Sequence, residues 1–176
     1  MEISGLRLQF EPHRCFACGE LNEHGMHLEL HADAESCQTE LSLAPRFQGW
    51  EGVAHGGIIG TILDEVMAWA VIGRGTWGVT ARMTIDFKRP VPVGRPVRAV
   101  GRVVGTSRRL FRTVGEIVDA ETGEVLATAE GTYIAAPPDQ LEVLQARYRL
   151  RPADDRAAGA PAIDDLGDPT GPVDDH

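Results

Sequence analysis

Several features that would place this chain quickly are missing from it. No stretch reaches the about 18 consecutive apolar residues of a membrane-crossing helix, so no membrane segment is expected. The opening MEISGLRLQFEPHRCFACGE has no basic segment followed by an apolar run, and no secretory signal is expected from it. Cysteine is scarce: Cys15, Cys18 and Cys37 are three in number, which argues against a disulfide framework and for a reducing compartment, the cytoplasm. Positive charge is the minority, with 17 Lys and Arg against 26 Asp and Glu and no basic run, and the formal net charge is -9. Nucleic-acid binding draws most of its affinity from phosphate neutralisation, so that class of partner is excluded.

What remains is the composition of an ordinary globular chain, 43% hydrophobic and 24% charged over 176 residues. Residues 27–31 (HLELH) and 38–44 (QTELSLA) alternate polar and apolar positions, the pattern of strands with one buried face. A glycine-rich segment, FQGWEGVAHGG, then leads into IIGTILDEVMAWAVI, whose only charges are the adjacent Asp64 and Glu65. The spacing predicts a helix over about 56–72 that is buried nearly all round. Four β-rich runs follow: VTARMTIDF, VRAVGRVVGTS, LFRTVGEIVDA and EVLATAEGTYIAA, each bounded by turn signals.

Short connections between these runs imply antiparallel pairing, hence an α+β chain with one sheet curved around one long central helix. Residues 1–44 are read as an N-terminal segment with a CxxC turn and the first strands, 45–137 as the core, and 138–150 as a short helix. Residues 151–176 hold seven Asp and no aromatic residue and are expected to be a disordered acidic tail. One sheet and one helix leave a face uncovered, so a homodimer or homotetramer is the structural expectation.

His55-Gly56-Gly57 opens the helix, and Asp64 lies inside it. The unbonded N–H groups of a helix N-terminus can hold a developing oxyanion, and a carboxylate in an apolar helix can act on water as a base or attack as a nucleophile. Eight helical residues span about 12 Å, so Gly56 and Asp64 of one chain cannot serve one carbonyl. Two antiparallel helices across a dimer could pair them.

The segments HGGIIGTILDEVMAWA and GVTARMTIDFKRPVPVGRPV resemble the hotdog-fold acyl-CoA thioesterases, most of all the branch holding the phenylacetate-pathway enzymes. The resemblance covers about residues 45–136, and the leader CFACGELNEHGMHL resembles a segment found in one subset of that superfamily. It implies hydrolysis of a thioester to free acid and coenzyme A. Gly56 would polarise the carbonyl, Asp64 would activate water or attack directly, Thr80 would help place the water, and Gln48 would orient the loop before His55. In the same comparison His55 is mainly structural, fixing the turn into the helix, and His55 and Gly57 are counted with the residues that line the substrate and coenzyme A site. No metal or redox cofactor is required. Acyl-CoA is the implied partner, its phosphates meeting Lys88, Arg89, Arg108 and Arg109, which are placed near strand ends. Arg108 and Arg109 are adjacent, so on a strand only one would face the ligand.

Blander readings stand beside these. Asp64 could be a buried acid satisfied by Thr61, Glu65 is a rival acid about 100° away around the helix, and Thr80 is also simply a good strand residue. Trp50, Trp69 and Trp77 could line an aromatic acyl pocket or pack at the core edge. Cys15-x-x-Cys18, near His13, His24, His27 and Cys37, raises zinc or a redox dithiol, but on spacing alone an unmetallated turn is expected. Two other functions fit the same pattern: an acyl-CoA-binding module without turnover, and a dehydratase or hydratase, which would need a histidine working with an acid.

Overall fold

A computed structural model describes residues 6–152. Helix α1 runs from Gly56 to Ile72, and His55 caps it by accepting the Gly57 N–H on Nδ1 at 3.0 Å. Ile59, Ile62, Leu63, Val66, Met67, Trp69, Ala70 and Val71 are all buried, more than one stripe of the helix, because sheet surrounds it on several sides.

The strands are β1 (Leu6–Phe10), β2 (His31–Ala32), β3 (Ser36–Ser42), β4 (Gln48–Trp50), β5 (Val53–Ala54), β6 (Gly78–Phe87), β7 (Pro96–Ser107), β8 (Leu110–Asp119), β9 (Val125–Ala135) and β10 (Leu150–Pro152). A second helix, α2, spans Pro138–Arg147. Eight strands form one antiparallel sheet in the order β10-β1-β2-β3-β7-β8-β9-β6, and β4 pairs with β5 in a separate hairpin. This is the α+β hotdog architecture, a long helix wrapped by a curved antiparallel sheet.

The helix can lie close to the sheet because a row of small residues crosses the strands beneath it. Cys37 pairs with Gly101, Gly101 with Gly115, and Gly115 with Ala129. A Cβ on Gly101 would fall 2.4 Å from the Val66 carbonyl oxygen and 2.6 Å from the Met67 nitrogen, so the helix backbone rests where a side chain would stand. Met67 in turn fills the space over Gly115 and accepts a hydrogen bond from the buried Thr113 hydroxyl on its sulfur at 3.2 Å.

Strand β6 lies at one edge, and all of its residues except Gly78, Met83 and Ile85 are exposed. An open edge is an unfilled set of backbone donors and acceptors. Among the described residues no helix is long and apolar enough to cross a membrane.

The early part of the chain departs from its alternating pattern. Residues 27–31 do not form a strand of that length: His27 takes a left-handed backbone (φ 52°), which breaks the extended run, and β2 keeps only His31 and Ala32. The second early strand occupies Ser36–Ser42 and not 38–44, closed by Asp33, whose Oδ1 accepts the Glu35 and Ser36 N–H groups at 2.7 Å each. Helix α2 stops at Arg147, and residues 150–152, in part assigned above to the tail, pair with β1. The remaining tail lies outside the described residues.

Candidate active site

Asp64 sits in the third turn of α1, on the side that faces the open edge strand. Its Oδ1 accepts two hydrogen bonds, from Thr80 Oγ1 at 2.6 Å and from the Tyr133 hydroxyl at 2.8 Å. Thr80 and Tyr133 are brought together by register, since they are cross-strand partners on β6 and β9. A bulge follows immediately, between Thr80 and Arg82, which re-aims the strand beside the carboxylate. Tyr133 also donates to the Asp64 carbonyl at 3.1 Å.

Tyr133 is fully buried, and that burial, followed by the nearby Asp64 charge, pushes its phenol well above the usual range. It therefore stays protonated and remains a donor. Both donors fall on one carboxylate oxygen, and among the described residues Oδ2 has no hydrogen-bond partner. One oxygen is fixed and the other is available to a reacting molecule. Thr61 is not the satisfying partner: its hydroxyl donates back to the Gly57 carbonyl at 3.0 Å.

At the other end of α1 the donors sort themselves. His55 Nδ1 takes the Gly57 N–H, and the His55 carbonyl takes those of Ile58 and Ile59 at 2.9 and 3.2 Å. The Gly56 N–H, first in the helix, has no hydrogen-bond partner among the described residues. Beside it lies an open groove of about 380 Å³ lined by Gly56, Ile59, Phe87, Lys88, Arg89 and Pro90 among others. Gln48 is exposed in β4 and accepts the Gly52 N–H on Oε1 at 3.2 Å, which orders the hairpin before His55.

The four basic residues do not form one cluster within a chain. Lys88 and Arg89 border the Gly56 groove, with Lys88 Nζ 3.2 Å from Asp86 and Arg89 paired to Glu124. Arg108 and Arg109 make the β7–β8 turn, Arg108 in a left-handed conformation (φ 52°). Arg109 spends its guanidinium on the Ala135 carbonyl, at 3.0 and 2.7 Å. Because Ala135 pairs with Gly78, that turn lies at the Thr80 end of β6, away from Lys88.

Nor do the three tryptophans converge. Trp50 is 86% exposed on the β4–β5 hairpin, Trp69 is buried, and Trp77 stacks on Tyr148 at 5.5 Å. Glu65 points about 100° around α1 from Asp64 and is largely enclosed. Trp69 Nε1 donates to its Oε1 at 2.9 Å, and burial pushes its carboxyl up to about 7.

Tyr133 is the site residue that sequence reasoning missed. The inward alternation of Gly131, Tyr133 and Ala135 was visible in EGTYIAA, but its meeting with Asp64 depends on strand register.

Residues 51–126 match the family model described as the thioesterase superfamily. Human acyl-coenzyme A thioesterase 13 is 26% identical over 83 residues, 46% of this chain and 59% of that relative. The chain thus spans about three-fifths of the length of the curated relatives it matches. Among solved structures, a thioesterase superfamily protein superposes with a TM-score of 0.64 at 28% identity, covering 69% of this chain and 60% of the other. The PaaI protein of the E. coli phenylacetic acid degradation operon gives a TM-score of 0.57 at 21% identity over 61% of this chain and 82% of its own, a likeness of fold.

Proposed function

We propose that this hotdog-fold chain, which belongs to the thioesterase superfamily, is an acyl-CoA thioesterase whose active site is shared between two subunits. The observation that carries the reading is the Asp64 carboxylate, clamped on Oδ1 by Thr80 and Tyr133 and open on Oδ2. A carboxylate fixed in this way is oriented without being consumed, as a general base must be. The name of the human relative supports the acyl-CoA class of substrate.

In the proposed reaction a water donates its proton to Asp64 Oδ2 while its oxygen attacks the thioester carbonyl carbon. The carbonyl oxygen becomes an oxyanion and takes a hydrogen bond from the partner's Gly56 N–H. Collapse of that intermediate breaks the C–S bond, the coenzyme A thiolate leaves and takes the proton held on Asp64 Oδ2, and the free acid remains. Direct attack by Asp64 Oδ2 would expel the thiolate and leave an anhydride, which water then hydrolyses to the same products. The helical separation of Gly56 and Asp64 supports the two-subunit form, since about 12 Å in one helix is too far for one carbonyl.

Antiparallel pairing of β6 with the β6 of a second copy would continue the sheet and bring each Asp64 towards the partner's Gly56. Lys88 and Arg89, on the rim of the Gly56 groove, would meet the phosphates of coenzyme A, giving up exposed ion pairs of about 0–1 kcal/mol each.

The test is thiol release by the wild-type protein from acyl-CoAs running from acetyl to palmitoyl, with phenylacetyl and hydroxybenzoyl included. Turnover of at least one of them is expected. Protection against heating by coenzyme A with no thiol released from any would replace this reading with a binding module.

A further inference from the structure

About 100° around α1 from Asp64, Glu65 faces the Cys15-x-x-Cys18 turn. One ligand atom from each of Cys15, Cys18 and Glu65 lies within 4.8 Å of the other two. His13 Nε2 is 3.7 Å from Cys18 Sγ. We propose that Cys15, Cys18 and Glu65 form a site for a zinc-class divalent cation that clamps the N-terminal turn onto the helix carrying Asp64.

The donor set suits such an ion. Two thiolates and a carboxylate are all zinc ligands, and the fourth position of a tetrahedral site can be taken by water or by a further side chain. A second observation is the turn itself, which is built to present its sulfurs. The loop that carries them is fixed by backbone hydrogen bonds, from the Met26 N–H to the Phe16 carbonyl at 2.8 Å and from the Leu28 N–H to the Ala17 carbonyl at 2.9 Å.

Tight closure of the same turn requires glycine. Gly19 N–H donates to the Cys15 carbonyl at 3.0 Å, and a Cβ on Gly19 would meet the Cys15 nitrogen at 2.4 Å. Leu21 N–H then bonds the His13 carbonyl at 3.0 Å, which holds His13 beside the pair.

Glu65 completes the case. Among the described residues no lysine or arginine forms an ion pair with Glu65. Trp69 Nε1, bonded to Oε1, is the kind of outer partner that fixes a ligating carboxylate in place. The sequence alone favoured an unmetallated turn because a single CxxC supplies two ligands; the fold adds a third from the helix. None of this rests on the hydrolytic reading.

The experiment is elemental analysis of the full chain produced in zinc-supplemented medium and purified under reducing conditions without chelator. About one zinc per chain is expected, falling at least about tenfold in Cys18→Ser. Cobalt(II), exchanged into the stripped wild-type protein, should give an intense sulfur-to-cobalt charge-transfer band. Glu65→Gln should keep that band but lose zinc to a competing chelator at least about tenfold more readily. Since Cys18→Ser could fail to fold, the wild-type cobalt spectrum and a melting temperature that drops with chelator and returns with zinc stand independently of it. Zinc below about a tenth of an equivalent together with no charge-transfer band in the reduced protein overturns the site, whether the two thiols are then found free or joined as a disulfide.

Discussion

At the scale of single residues the site depends on a few atoms whose neighbours are already defined. Gly56 offers its N–H, and proline removes that group while being well tolerated at the first position of a helix. The preceding His55 is already extended, with ψ 138°, as a residue before proline must be. A Cβ at position 56 meets only the Phe87 ring, at an ordinary 3.5 Å. Gly56→Pro should therefore cost about 10²–10³ in kcat, the range for one oxyanion donor, while its melting temperature stays near that of the wild type; an unaffected rate would remove Gly56 from the chemistry. Tyr133→Phe deletes one of the two bonds to Asp64 Oδ1 and should lower both stability, by about 1 kcal/mol, and turnover. Thr80→Val should act in the same direction on turnover, and steady-state kinetics with denaturant titration separate the two effects.

Among elements, the helix and the sheet are matched by the small residues between them. Gly101→Ala forces a methyl group into the Val66 and Met67 backbone, which cannot move without lifting the helix. A loss of more than about 3 kcal/mol is expected, read by urea unfolding, and a nearly neutral result would contradict the close contact. The helix and strands β6–β9 were legible in the sequence because each carries its own period and its own turn residues. Strands β1 and β10 were not: three to five residues long, they exist because distant parts of the chain meet. The same limit applied to the site. Asp64 and Gly56 stood in a readable motif, whereas Tyr133 enters through strand register and Glu65 meets Cys15 and Cys18 only when the leader folds back on the helix. Arg109 shows the converse, a residue of suitable charge whose guanidinium is occupied by a backbone carbonyl.

For the whole molecule, the proposed function answers both the exposed edge strand and the separation of Gly56 from Asp64 with a second copy. The chain should run at twice its mass or a multiple of it in light scattering. Chains carrying Asp64→Ala, co-assembled with chains carrying Gly56→Pro, should regain about one working site in each mixed dimer. Such a dimer holds one site with both defects and one with neither. A site built within a single chain would recover nothing.

Asp64 is the residue on which every part of this mechanism converges. Its direct test is the rate of coenzyme A release from the best acyl-CoA substrate by Asp64→Ala, measured against wild type with the fold of both checked by circular dichroism. A fall in kcat/KM of at least about 100-fold is predicted for loss of the general base. A variant that folds normally and keeps its rate within about threefold of wild type would contradict the account, because no other carboxylate on that face of the helix is placed to act.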